Sequence, residues 1–120
     1  MHVLYIEDNL ANARLLEKFF AIKAGWLLTL AANAEAGLAC ARTARPDLIL
    51  MDINLPGKSG IDALHELRAD TTLATLPILA VSADARPEHI ARVLGEGFDA
   101  YITKPLDLAA LEQTLIRYAR

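Results

Sequence analysis

Five polar side chains carry the chemistry that this sequence offers. Glu7 and Asp8 form an acidic pair near the start, Asp52 precedes Ile53-Asn54-Leu55-Pro56-Gly57, Ser82 follows an apolar run, and Lys104 stands before Pro105. Three carboxylates brought together repel one another, which raises at least one pKa or requires a cation. The donors are all oxygen, and the histidines His2, His65 and His89 are dispersed without metal-ligand spacing. Hard oxygen ligands select Mg²⁺ or Mn²⁺ over Zn²⁺. Mg²⁺ takes one or two carboxylates plus phosphate oxygens and keeps several waters. A lysine and a hydroxyl beside such a metal suit the remaining phosphoryl oxygens. A carboxylate can itself be the nucleophile and form an aspartyl-phosphate. The residue types thus point to a Mg²⁺-dependent phosphoryl site with a carboxylate nucleophile.

Such a site needs a scaffold that gathers positions far apart in the chain. Short apolar runs occupy residues 2–6, 26–30, 48–51, 78–81 and 100–102. Most are continuously apolar, as expected of strands covered on both faces in a parallel sheet. Five helices are expected between and after them. Asn9 caps the first, with Ala13, Leu16, Phe19 and Phe20 inward, and Asn33 caps an alanine-rich second helix through about Ala44. Ser59 or Gly60 opens the third, with Ile61, Leu64 and Leu67 inward. Pro87 suits the first turn of the fourth, whose stripe is Ile90, Val93 and Leu94 and which Gly97 ends; Asp107 caps the fifth, with Leu108, Leu111 and Leu115 inward. The pattern is β-α five times over, an α/β fold with an open parallel sheet and helices on both faces. Ligands of such sheets bind beyond the carboxyl ends of the strands, where strand order reverses. Glu7 and Asp8 follow the first run, Asp52 the third, Ser82 the fourth and Lys104 the fifth, so all converge on one edge.

Composition excludes several other classes. At 120 residues the chain fits one domain, residues 1–120. Hydrophobic residues at 54% and charged residues at 22% support a packed core rather than disorder. A net charge of -3 with scattered basic residues argues against direct nucleic-acid binding and against a membrane surface. The single cysteine, Cys40, precludes an internal disulfide, suits a reducing cytoplasm and reads as a small buried hydrophobe. The start lacks a signal-peptide pattern, and no apolar run approaches the roughly 18 residues needed to span a bilayer. Gly95-Glu96-Gly97-Phe98-Asp99-Ala100 fits a loose dinucleotide pattern, but it precedes a strand instead of following one, and is rejected.

Four segments, each after an expected strand, carry a resemblance over essentially the whole chain: Tyr5-Ile6-Glu7-Asp8-Asn9, Leu50-Met51-Asp52-Ile53-Asn54-Leu55-Pro56-Gly57, Val81-Ser82-Ala83 and Tyr101-Ile102-Thr103-Lys104-Pro105. Together they resemble the receiver domain of bacterial two-component response regulators, like the chemotaxis regulators. The resemblance implies a flavodoxin-like strand order 2-1-3-4-5. It implies that Asp52 is the phosphoacceptor, that Asp8 ligates Mg²⁺ (or Mn²⁺) directly and Glu7 directly or through water, and that the Asn54 carbonyl is a further ligand. Lys104 pairs with a phosphoryl oxygen, with a cis peptide before Pro105. Ser82 hydrogen-bonds the phosphoryl group, and Tyr101 is the aromatic switch that turns inward as Ser82 moves. Ala83 leaves access for a phosphodonor, and Asn54 and Asp84 tune phosphoryl lifetime. Two positions depart from the common pattern. Glu7 stands where many members have Asp, and Lys58 is often apolar; it is open to a local ion pair or to incoming phosphate.

The implied function is phosphorelay signalling. The donor is a histidine kinase or histidine phosphotransfer domain, and the output goes to a downstream protein or a second copy through the fourth helix, fifth strand and fifth helix. Stand-alone regulator and fragment of a hybrid kinase both fit. Plain structural roles compete for single residues: a helix cap for Glu7-Asp8, a turn for Asp52, an edge position for Tyr101. The competing enzyme is a haloacid-dehalogenase-like Mg²⁺ phosphatase, which usually carries a second Asp two residues after the nucleophile; Asn54 stands there.

Overall fold

Every uninterrupted apolar run sends alternate side chains to opposite faces of one sheet. In β1 (His2–Ile6), Val3 and Tyr5 oppose Leu4 and Ile6; in β3 (Leu48–Asp52), Leu48 and Leu50 oppose Ile49 and Met51; in β4 (Ile78–Ser82), Leu79 and Val81 oppose Ile78 and Ala80. Both faces must therefore be covered. The computed structural model describes residues 1–119, in the order β1, α1 (Leu10–Ala21), β2 (Leu27–Ala31), α2 (Ala34–Ala44), β3, α3 (Gly60–Ala69), β4, α4 (Pro87–Gly95), β5 (Ala100–Thr103), α5 (Leu108–Tyr118). Leu16 and Phe20 of α1 and Leu111 and Leu115 of α5 close one face over Val3, Tyr5, Leu50 and Val81. Leu38 of α2, Leu64 and Leu67 of α3 and Val93 of α4 close the other over Leu4, Ile6, Ile49 and Met51.

All strand pairs are parallel and the order is β2-β1-β3-β4-β5, the flavodoxin-like arrangement expected. From β1 the chain steps outward to β2, then crosses back to β3 and continues the other way. Strand order thus reverses between β1 and β3, and the crevice beyond their carboxyl ends is where such a sheet binds ligands. Helix starts follow the expected caps. Asn9, Asn33, Ser59 and Asp107 accept hydrogen bonds from the N–H groups of Asn12, Ala36, Asp62 and Ala110. Pro87 opens α4 without a side-chain cap.

The boundaries differ from the expected ones in instructive places. β2 begins at Leu27, one residue late, because Trp26 closes the preceding turn through an N–H bond to Lys23 O and packs edge-on against Phe19 and Phe20. β3, β4 and β5 each run one residue further, taking Asp52, Ser82 and Thr103 into the ladder. Cys40 is half-buried against the α2–α4 core rather than buried within it. Among the described residues, no helix is long and apolar enough to cross a membrane.

Candidate functional site

β1 and β3 are neighbours in register, Ile6 beside Met51, so the residues that follow them emerge side by side. Glu7, Asp8 and Asp52 each offer a carboxylate oxygen, and these atoms all lie within 4.8 Å of one another. Glu7 and Asp52 are buried, at 4% and 3% exposure, whereas Asp8 is exposed. Lys104 comes in from the end of β5 and spans the two buried acids, with Nζ 2.7 Å from Glu7 Oε1 and 3.3 Å from Asp52 Oδ2. The peptide between Lys104 and Pro105 is cis. The backbone fixes Lys104 as well, since its N–H donates to Ser82 O at 2.9 Å.

Glu7 is the most heavily held of the group. Its Oε1 accepts from the Tyr5 hydroxyl at 2.9 Å and from Asn12 Nδ2 at 3.1 Å, and the Asn9 N–H donates to Oε2 at 3.3 Å. Asp52 Oδ1 accepts the Asn54 N–H at 3.0 Å, which turns the chain into the exposed loop at Asn54. Ser82 is buried, and its Oγ accepts the Asp84 N–H at 3.2 Å. Tyr101 is half-buried against the α2–α4 core, with its hydroxyl bonded to Asp84 O and its ring edge-on to His89.

The electrostatics follow from two buried acids on one ammonium, with the exposed Asp8 carboxylate beside them. Burial, reinforced by the neighbouring Glu7 carboxyl, pushes Asp52 up to about 6 despite the Asn54 N–H and the Lys104 charge. Burial alone would push Glu7 up too, but hydrogen bonds from Asp52, Lys104 and Tyr5 outweigh it and hold Glu7 below its ordinary range. Burial would lower Lys104, yet Glu7 and Asp52 hold its pKa above the usual value. Tyr5 is pushed well up by burial and by the charge of Glu7, so its hydroxyl stays a donor. The paired acids therefore hold one proton only below about pH 6, and above it both are ionised beside a single ammonium. A compact set of carboxylate oxygens, left with excess negative charge by a single lysine, fits a hard divalent cation such as Mg²⁺.

The positions singled out from sequence thus lie together: Glu7, Asp8, Asp52 and Lys104 directly, Asn54 through its N–H bond to Asp52, and Ser82 through its backbone carbonyl, which accepts the Lys104 N–H. Lys58 pairs with Glu66 of α3, the local ion pair among its two open options. Sequence reasoning gave no role to Tyr5 or Asn12. Their signal was spacing: Tyr5 lies two residues before Glu7, on the same strand face, and Asn12 lies within the first turn of α1.

Residues 3–116 match the response regulator receiver domain family, and the chain belongs to it. It is 35% identical to the polar-differentiation response regulator DivK of Brucella anthropi, over 97% of this chain and 94% of DivK. It is 34% identical to the probable transcriptional regulatory protein TcrX of Mycobacterium tuberculosis, over 96% of this chain but only 47% of TcrX, so it spans about half the length of that relative. Among solved structures it is similar to the receiver domain of the sensor histidine kinase PA1611 of Pseudomonas aeruginosa, at a TM-score of 0.88 and 32% identity, covering 98% of this chain and 96% of that one. That receiver was crystallised with a magnesium ion coordinated in its active-site cleft. Receiver domains bind Mg²⁺ in the active site and interact with histidine kinases in two-component phosphorelay signalling.

Proposed function

We propose that this domain takes a phosphoryl group on Asp52, in a Mg²⁺-dependent transfer from the phosphohistidine of a histidine kinase or histidine phosphotransfer domain. The observation that carries the reading is Lys104 Nζ held between Glu7 and Asp52 at 2.7 and 3.3 Å. This arrangement supports a cation at one side of the phosphoryl group and an ammonium at the other. Asp8 and Asp52 would hold the Mg²⁺ directly, Glu7 directly or through water, and the carbonyl of Asn54 would complete the protein's share. When bound, the ion supplies positive charge to the phosphoryl oxygens as charge shifts in the transition state.

The residues of the chain do the rest. An Asp52 oxygen attacks phosphorus and forms an acyl-phosphate bond, while the N–P bond breaks and its electron pair returns to the imidazole. Lys104 moves its ammonium from the paired acids to a phosphoryl oxygen. Ser82 accepts from Asp84 at present and has its own hydroxyl hydrogen to donate to another phosphoryl oxygen. That shift favours an inward Tyr101 and alters the surface of α4, β5 and α5. A groove of about 250 Å³ lies on this face between β5 and α5, lined by Tyr101, Pro105, Asp107, Leu111 and Thr114 among others. A downstream protein or a second copy would read that surface.

Incubation with acetyl phosphate and Mg²⁺ tests the reading by intact mass. One added phosphoryl group is expected, absent with EDTA and absent in Asp52→Asn. An adduct that persists in Asp52→Asn would move the nucleophile elsewhere. The phosphatase alternative draws no support from the site, because Asn54 has no acidic proton to give a leaving group. Turnover of a small phosphate ester beyond one equivalent would revive it.

A further inference from the structure

Glu7 is longer than aspartate by one methylene, and a longer side chain beside a small cation needs something to stop it wandering. The two oxygens of Glu7 are treated very differently. Oε1 is surrounded by three donors, the Lys104 ammonium at 2.7 Å, the Tyr5 hydroxyl at 2.9 Å and the Asn12 amide at 3.1 Å. None of these three donors reaches Oε2, which accepts a longer bond from the Asn9 N–H at 3.3 Å. Tyr5 is 0% exposed inside the α1–α5 core, where a phenol costs more than a phenylalanine unless its hydroxyl is bonded. Its partner is Glu7. Asn12 approaches from α1, so the clamp joins strand to helix and both donors hold even after Lys104 turns to another acceptor.

Resting on the Mg²⁺ site proposed above, we infer that Tyr5 and Asn12 are positioning residues that occupy Glu7 Oε1, so that Glu7 turns only Oε2 toward the ion or its water and selects Mg²⁺ over Ca²⁺. Mg²⁺ demands small octahedral geometry with single-oxygen ligands, whereas Ca²⁺ takes more oxygens and accepts both oxygens of one carboxylate. A carboxylate with one oxygen already committed to fixed donors cannot offer both. Outer hydrogen-bond partners of metal ligands carry about 10- to 100-fold of metal affinity. Loss of the clamp therefore weakens Mg²⁺ and spares Ca²⁺, which gains the released oxygen.

Calorimetric titration of the full chain with Mg²⁺ and, separately, with Ca²⁺ tests this without any phosphorylation readout. Tyr5→Phe and Asn12→Ala are each expected to weaken Mg²⁺ binding by about 10-fold, with Ca²⁺ affinity unchanged or improved, so the preference for Mg²⁺ falls. Glu7→Asp draws the carboxylate back from both donors, and adding Tyr5→Phe to it is expected to change nothing further. Parallel weakening of both ions, an unchanged preference, or additive effects in the Glu7→Asp background would overturn the inference. Should Tyr5→Phe fail a thermal-melt check of folding in EDTA, the half-buried Asn12 decides alone. Wild-type protein that binds no Mg²⁺ at all would instead bring down the proposed metal site itself, and this inference with it.

Discussion

The Tyr101 hydroxyl donates a 2.6 Å hydrogen bond to the backbone carbonyl of Asp84. The amide of the same residue donates to Ser82 Oγ at 3.2 Å. Asp84 is therefore gripped from both ends of its backbone, by the proposed phosphoryl-binding hydroxyl and by the proposed aromatic switch. If Ser82 moves toward a phosphoryl oxygen as proposed, it would pull on the Asp84 amide, and the carbonyl of that residue would pass the change to Tyr101. Tyr101→Phe removes only the second grip. Acetyl phosphate is expected to load it to the same mass as wild type, while the backbone NMR shifts of α4 and β5 on activation become markedly smaller. Equal shifts in the two proteins would reject the coupling.

Asp52 has a pKa pushed up from 3.8 to about 6 by burial and by Glu7. Between those values the folded chain holds a proton that the unfolded chain has released. The Asp52 contribution to stability is thus present at low pH and lost as pH rises through about 6. Asp52→Asn removes the penalty of an ionised buried acid. In EDTA at pH 7.5 it is expected to be more stable than wild type by on the order of 1–3 kcal/mol, an upper range because the acid's attraction to Lys104 is lost as well. Urea melts should show that gap narrowing as pH falls from 6 toward 4. Saturating Mg²⁺ should raise wild type toward the variant, since it binds the folded form alone. A gap that is constant across this range would mean that Asp52 is not the acid under strain.

The sheet was legible because four of the five runs are apolar on both faces, a pattern that little but a doubly covered parallel strand satisfies. The start of β2 was not, because Trp26 is as apolar as the strand but spends its ring on Phe19 and Phe20 of α1. The carboxyl ends of β3 and β4 were cut short because Asp52 and Ser82 are polar, although both still pair in the ladder with Val81 and Thr103. The gathering of Glu7, Asp8, Asp52 and Lys104 followed from their places after strands. The supports Tyr5 and Asn12 did not, since a tyrosine in an apolar run and an asparagine in a helix look like filler until the atoms between them are known.

Lys58 gives a contrasting case. Its ammonium is paired with Glu66 across the first turns of α3, with both side chains partly exposed. Exposed pairs of this kind contribute about 0–1 kcal/mol. Lys58→Ala should therefore lower stability by less than about 1 kcal/mol, and the rate of acetyl-phosphate labelling should stay within twofold of wild type (about 0.4 kcal/mol in barrier height). A tenfold slower labelling would show that Lys58 leaves Glu66 to meet the incoming phosphate.

Gly60 shows how closely the scaffold crowds the site. It is the first residue of α3, its N–H bonds Ile53 O at 3.2 Å, and a Cβ placed there would lie 2.4 Å from Asp52 O and 3.0 Å from Ile53 Cα. Those neighbours are backbone, so no side-chain rotation relieves the clash. In an ordinary helix, glycine to alanine is favourable by about 0.5–1 kcal/mol. Overpacking against fixed backbone costs about 1–3 kcal/mol, so the clash wins. Gly60→Ala should be destabilised by about 0.5–2 kcal/mol as the difference of those terms, and it should weaken Mg²⁺ binding because Asp52 is displaced with its carbonyl. Gly95, at the end of α4, has nothing within 4 Å of its would-be Cβ. Gly95→Ala should therefore be neutral or slightly stabilising in the same urea melts, with Mg²⁺ affinity unchanged. Opposite signs for the two glycines locate the cost in the contact with Asp52, and equal signs would assign it to helix propensity instead.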